Sequence, residues 1–317
     1  MTFDLQGHRG ARGLWPENTL AGFARTLALG VSTFELDCAV CRDGVAVVSH
    51  DPQLNPVHTR DQAGRFLESA GPLICTLDYA TLRHYDVGRI RPGSAYAAEF
   101  PQQQPVDGER IPRLRDVFEL AARLGAHELR FNIEAKLFPL RPELTLAPQP
   151  FVHALLEDMR SSEVVPRATI QSFDWRVLRI VQELEPGLVT GALTDQQGDD
   201  DTVHAGSARA SPWLGGLNIH DFAGSVPRLA QASGAGYWSP NYLDLSQAQV
   251  DEAHGLGLRV VPWTVNEPAD MRRIVDWGVD GMISDRPDLL RTALGEKGIA
   301  VPAPWPADPV NRTDDLT

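Results

Sequence analysis

A chain of 317 residues exceeds most single-core domains, yet α/β barrels of this length are ordinary. Its 43% hydrophobic and 22% charged residues match a soluble globular protein, and its formal net charge of −13 argues against a nucleic-acid or anionic-membrane surface, which needs a basic face. No apolar run approaches the roughly 20 residues that span a bilayer, and the start MTFDLQGHRG lacks the basic and apolar regions of a signal peptide. The three cysteines cannot all pair, which fits a reducing, cytoplasmic setting. A processed periplasmic or secreted form would look the same. Only Lys136 and Lys297 are lysines, so a lysine inside a motif carries more information than usual.

In chain order, residues 3–8 predict a short strand ending in Gly7-His8-Arg9-Gly10. After Pro16-Glu17-Asn18, the residues Leu20, Phe23, Ala24 and Leu27 recur at helical spacing up to Gly30. The stretch from Phe34 to Asp51 alternates apolar and polar residues around Asp43-Gly44, a two-residue hairpin signal. With that loop, Asp37 comes directly opposite His50, and Glu35 shares the face of Asp37. Residues 51–110 are rich in Pro, Gly and Gln with little periodicity, and read as an irregular insertion. A helix follows from Arg113 to Gly125, then a strand over Leu129–Lys136 with Glu134 near its end. Helix 150–160, strand 168–173, helix 174–184, strand 188–193, strand 236–239, helix 246–255, strand 258–265, helix 268–277 and strand 280–284 continue the pattern. The Pro-rich tail 298–317 is expected to wrap the surface or stay disordered.

Repeated strand–helix alternation without a G-x-G-x-x-G signature favours a TIM-type (β/α)8 barrel, distorted by the insertion, with one catalytic unit over 1–297. In such a barrel the C-terminal strand ends form the active-site face. His8, Glu35, Asp37, Glu134, Lys136 and Trp263 all fall at or near those ends. Three carboxylates, Glu35, Asp37 and Glu134, form an oxygen-only ligand set suited to one hard divalent cation, Mg2+ or Ca2+. His8 and His50 titrate near neutrality and fit general acid–base work. Arg9 and Lys136 can offset the charge of a phosphate. His58, His84, His127, His153, His204, His220 and His254 are read as ordinary core or surface residues. Cys38-x-x-Cys41 places its thiols on opposite faces of a strand and is read as packing. Asp51 either orients His50 or starts a turn before Pro52.

These motifs together resemble the glycerophosphodiester phosphodiesterase family. The resemblance is carried by His8-Arg9-Gly10, Pro16–Thr19, Glu35-Leu36-Asp37, the Asp43-Gly44 turn, His50-Asp51, Ile133–Lys136, Gln171–Asp174, Trp263–Asn266 and Ser284–Asp288. It implies a TIM-like barrel with a small insertion after the second histidine and hydrolysis of glycerophosphodiesters to glycerol 3-phosphate and an alcohol. It further implies a divalent metal on Glu35, Asp37 and Glu134, acid–base roles for His8 and His50, and phosphate contacts from Arg9 and Lys136. Trp263 would wall the glycerol or alcohol side, with Glu17, Asn18, Asp51 and Asn266 in supporting or loop positions. The chain departs from the family after His50-Asp51, where Leu54 leads into Asn55-Pro56-Val57-His58-Thr59-Arg60.

Two rival readings stand beside this one. The same site could form a cyclic phosphate from a lysophospholipid or sphingolipid, as related lipases of this fold do. Alternatively, a degenerate barrel could bind phosphorylated ligands without turnover. The expected partner in the first two cases is a small-molecule phosphodiester.

Overall fold

A computed structural model of the chain describes residues 3–305. Strand β1 (Asp4–Gly7) leads to helix α1 (Leu20–Leu29), then β2 (Thr33–Val40) and the short β3 (Ala46–Val48). Helices α2 (Tyr79–Leu82) and α3 (Ala95–Glu99) lie in the inserted segment, and α4 (Leu114–Arg123) returns the chain to the barrel. Then come β4 (Arg130–Ala135), α5 (Pro148–Ser161), β5 (Ala168–Ser172), α6 (Trp175–Leu184) and β6 (Val189–Thr194). The series ends with α7 (Val226–Ala232), β7 (Tyr237–Pro240), α8 (Gln247–Gly255), β8 (Arg259–Val260), α9 (Pro268–Asp276), β9 (Gly281–Ser284) and α10 (Pro287–Glu296).

Eight strands run parallel in the order β8-β7-β6-β5-β4-β2-β1-β9, and β3 pairs antiparallel with β2 off this path. Backbone bonds from Asp280 N to Val260 O, Ile283 N to Pro262 O and Val265 N to Ile283 O join the two ends. The result is a nearly closed TIM-type barrel. The expected strand over 258–265 survives as β8 plus single bonds, because Pro262 has no N–H to continue the ladder. Helices α7 and α10 are not predicted from the sequence. The first is short, and both carry a proline in their first turn.

Alternation along the strands divides the residues into two environments. Phe34, Leu36 and Cys38 of β2 and Phe131, Ile133 and Ala135 of β4 face outward into a shared apolar core with Phe23, Leu27, Phe118 and Phe151. The intervening Glu35, Asp37, Asn132 and Glu134 face the barrel interior. Parallel pairing sets Glu35 beside Asn132 and Asp37 beside Glu134. Buried amides must be hydrogen-bonded. Asn132 accordingly donates to Gln6 (2.8 Å) and Gln171 (3.0 Å) and accepts from the Tyr237 hydroxyl (2.7 Å).

Residues 51–110 are more ordered than their composition suggests. Leu54, Ile74, Leu82 and Val87 build a small second core against Ala39, Cys41 and Val47. Pairing there is by single bridges, such as Gln53 with Leu73 and Asp86 with Arg110, so no strand periodicity is visible in the sequence. Cys38 and Cys41 lie in different cores, in agreement with their reading as packing residues. All three cysteines are free. After Gly298, Ile299, Val301 and Trp305 pack on the main core. Residues 306–317 of the predicted tail lie outside the described residues. No helix among the described residues is long and apolar enough to cross a membrane.

Phe131 is fully buried and meets Phe118 edge-on at 4.8 Å and Phe34 at 6.3 Å. Phe131→Ala is expected to cost about 3–5 kcal/mol of stability, measurable as a lowered urea midpoint by circular dichroism.

Candidate active site

Glu35 and Asp37 leave β2 two residues apart, and Glu134 lies beside Asp37 on β4. Oxygen atoms of the three carboxylates lie within 4.8 Å of one another. All three side chains are buried. Burial raises the pKa of Glu35 well above the carboxylate range, and the charges of Asp37 and Glu134 raise it further. Glu134 is pushed up to about 7, chiefly by burial, with Lys136 opposing and Asp37 adding to the rise. Asp37 moves the other way: burial opposes its ionisation, but the charges of Lys136 and Arg9 lead the groups that outweigh it and hold it ionised.

Two cations share this anionic cluster. Lys136 Nζ lies 2.8 Å from Glu134 Oε1 and 3.2 Å from Asp37 Oδ1. These pairs have the distance of a hydrogen bond without its alignment, since both oxygens are buried and accept no hydrogen bond. The backbone N–H of Arg9 donates to Glu35 Oε2 at 3.0 Å, while its Nε lies 3.1 Å from Asp37 Oδ2. Arg9 reaches both through a left-handed backbone, φ 51°, followed by Gly10 at φ 86°, a conformation that costs a non-glycine residue about 1–2 kcal/mol. Asn18, also left-handed at φ 55°, donates from Nδ2 to Asp37 Oδ2 at 3.0 Å. Glu17 pairs with Arg9 Nη1 at 2.8 Å and accepts from the Tyr96 hydroxyl of the inserted segment. Burial opposes ionisation of Glu17, but Arg9, His58, Arg12 and the Tyr96 hydroxyl together outweigh it and lower its pKa to about 2.

A divalent cation fits these residues. Three buried carboxylates repel one another, two of their oxygens lack a hydrogen bond, and oxygen-only donors suit Mg2+ or Ca2+.

Both candidate acid–base histidines line one cavity of about 660 Å3 together with Glu35, Glu134, Arg9 and Lys136. His8 Nδ1 is 2.6 Å from Asp285 Oδ1, and its Nε2 is 3.9 Å from Glu35 Oε2. His50 Nδ1 is 2.9 Å from Asp51 Oδ1. Each ring is thus anchored at Nδ1 by a carboxylate, which frees Nε2 for the cavity. Burial is the main cause that lowers both pKa values to about 4, with Arg9 contributing in each case, so both rings are neutral near pH 7.

The hairpin expectation needs correction. Cys38 pairs with Val48, Ala39 with Val47 and Val40 with Ala46, one residue out of register from a two-residue loop. Cys41 N bonds Val45 O at 2.9 Å, so Arg42, Asp43 and Gly44 form a three-residue loop with Gly44 at φ 81°. Ser49, not His50, faces Asp37, donating its N–H to Asp37 O at 2.9 Å. A one-residue slip reverses every side chain along a regular strand. His50 still reaches the cavity because β3 ends at Val48 and the chain bends there.

Trp263 lines the same cavity, its ring 5.4 Å from Phe173 and its Nε1 donating to Ser239 O at 3.0 Å. Asn266 stands one step back, with Nδ2 donating to Asp285 Oδ2 at 2.7 Å and Oδ1 accepting from Asp285 N. Asp285 is absent from the site residues inferred from the sequence. It stands within the Ser284–Asp288 motif, but its partner His8 is 277 positions away and no local signal links them. Arg12, which also binds Asp285 (Nε to Oδ1, 2.7 Å), and Gln171, which donates to Glu35 Oε1 at 3.1 Å, were missed for the same reason. His58, read from the sequence as an ordinary residue, lies with Nε2 3.8 Å from Asp51 Oδ2. Of the other histidines, His204 lines the cavity, and His254 pairs with Asp280 on the surface.

A Caldanaerobacter subterraneus glycerophosphodiester phosphodiesterase is 28% identical over 295 residues, covering 92% of this chain and 97% of that protein. A crystal structure from Silicibacter pomeroyi, described as a candidate glycerophosphoryl diester phosphodiesterase, superposes with a TM-score of 0.83 at 35% identity over 95% of both chains. An Oleispira antarctica phosphodiesterase in complex with its product sn-glycerol-3-phosphate has the same fold, with a TM-score of 0.65 at 22% identity over 92% of this chain and 96% of that one. The sequence profile of the glycerophosphoryl diester phosphodiesterase family matches residues 8–289, and the chain belongs to that family.

Proposed function

We propose that the chain hydrolyses glycerophosphodiesters to glycerol 3-phosphate and an alcohol, using a divalent cation and paired histidines. The observation that carries this reading is the convergence of Glu35, Asp37 and Glu134 within 4.8 Å, beside two imidazoles each anchored by an aspartate. Family membership supports the substrate class.

A Mg2+ or Ca2+ ion held by the three carboxylates would polarise a phosphoryl oxygen and lower the pKa of an attacking hydroxyl. Arg9 and Lys136 both line the cavity and supply positive charge for the phosphate. His8 acts as general base: it is neutral near pH 7, its Nδ1 is fixed by Asp285, and its Nε2 is free to accept a proton. His50 delivers a proton to the departing alkoxide. Burial and the nearby cations disfavour its imidazolium in the free chain, and an anionic phosphodiester in the cavity offsets that effect. Trp263 and Phe173 form an apolar wall for the organic part of the substrate.

His50→Ala is expected to lower turnover of a glycerophosphodiester by about 10²–10⁴-fold while circular dichroism shows an intact fold; near-normal rates would remove His50 from the mechanism. Chelation is expected to abolish activity, and Mg2+ or Ca2+ to restore it, in a coupled assay for glycerol 3-phosphate. Full activity after exhaustive chelation contradicts the metal assignment. Asp285→Asn should lower kcat more than it raises KM, because the amide no longer fixes the tautomer of His8. Steady-state kinetics tests this, and an unchanged kcat counts against it.

A further inference from the structure

The carboxylate that anchors His50 has a second imidazole behind it. Asp51 Oδ1 meets His50 Nδ1 at 2.9 Å, while Oδ2 accepts from Asn55 Nδ2 at 2.6 Å and faces His58 Nε2 at 3.8 Å. Asn55 also builds the turn that carries His58, since Asn55 Oδ1 accepts from Val57 N at 2.9 Å and Asn55 O accepts from Thr59 N at 3.0 Å. One residue thus clamps Asp51 and aims His58 at it.

The His58 side chain is 17% exposed, and its Nδ1 is buried without a hydrogen-bond partner. The charged groups around it come from two places. Asp51 lies on the same segment, while Glu17 and Arg9 lie on the loop after β1. Burial disfavours the imidazolium, but Asp51 and Glu17 outweigh both burial and the repulsion from Arg9, and its pKa is raised. The ring of Tyr96 lies 6.4 Å away at 42°, and its hydroxyl donates to Glu17. A histidine serving only to hold its own turn would bond backbone groups of that turn. Here the turn is held by Asn55, and the ring faces Asp51.

We propose that His58 is a positioning residue which, through Asp51, holds His50 with Nδ1–H on the carboxylate and Nε2 toward the cavity. The charge on His58 then sets how strongly Asp51 favours a protonated His50. A neutral His58 leaves the full carboxylate charge to His50, whereas an imidazolium at position 58 draws part of it away. This inference rests on the reading of His50 as an acid–base group.

The test compares the metal-loaded parent chain with His58→Leu, His58→Gln, Asp51→Asn and the His58→Leu/Asp51→Asn double variant, using one glycerophosphodiester. His58→Leu is expected to lower kcat roughly 10-fold with KM little changed and to shift the His50 limb of the pH profile. The double variant should fall no lower than Asp51→Asn alone, because His58 acts through Asp51. His58→Gln, which keeps a polar group without a titrating charge, should recover most of kcat yet retain the shifted limb. Equal losses from His58→Leu in both backgrounds, or a parent-like limb in His58→Gln, overturn the proposal. If the leucine variant melts below assay temperature, the glutamine variant decides alone. Histidine-selective ¹⁵N NMR provides a readout independent of turnover: the ring of His50 should take up its proton at a higher pH in His58→Leu than in the parent chain, because Asp51 then acts on His50 alone, and an unchanged titration counts against the inference. An inactive parent chain would instead refute the catalytic reading, which separates the two failures.

Discussion

Three buried carboxylates with oxygens within 4.8 Å of one another form the constraint on which the rest of this site depends. Charges at such separations in a low-dielectric interior repel strongly, and burial itself disfavours ionisation. Glu35 and Glu134 register the strain as raised pKa values, while Asp37 escapes it because the side-chain cations of both Lys136 and Arg9 stand against it. Much of the surrounding geometry follows from the need to offset this charge. Arg9 turns its N–H to Glu35 and its side chain toward Asp37, and Asn18 uses the same left-handed geometry to reach Asp37. Lys136 spans Asp37 and Glu134. A divalent cation would relieve the same repulsion, so the electrostatic problem and the proposed chemistry have one solution.

Around that cluster, the two histidines are supported from opposite sides of the fold. Asp285 reaches His8 because β9 pairs with β1, so the support of His8 depends on the sheet curling round to bring its last strand beside its first. Asp51 reaches His50 from the start of the inserted segment, with Asn55 and His58 behind it. Tyr96, farther along that segment, bonds Glu17, and Arg12 faces both Tyr96 and Asp285. The insertion therefore reaches the polar groups behind both histidines, although its own core lies on the β2–β3 hairpin.

Much of this arrangement was legible in the sequence. Alternation in Phe34–Cys38 and Phe131–Ala135 separated an apolar outer face from a polar inner one, and it placed Glu35, Asp37 and Glu134 together once a barrel was assumed. The hairpin register was not legible, because Asp43-Gly44 serves a three-residue loop with a left-handed glycine as readily as a two-residue one. His50 reached the cavity through a bend after β3, not through the pairing expected for it. The order within 51–110 was hidden because its contacts are single bridges between residues far apart in the chain.

The sequence by itself determined most of the strand–helix series, and it nominated the three carboxylates as an oxygen-only ligand set and His8 and His50 as a pair for acid–base work. These depend on residue type, two-residue alternation and the placement of strand ends, all of which are local properties. Only the tertiary structure decided which carboxylate holds each imidazole, where His58 sits, and how Arg12 and Gln171 join the site. Those contacts depend on barrel closure and on the path of the insertion, which bring together groups up to 277 positions apart. Neither composition nor local periodicity encodes such meetings, because they depend on how the packed elements are arranged in space.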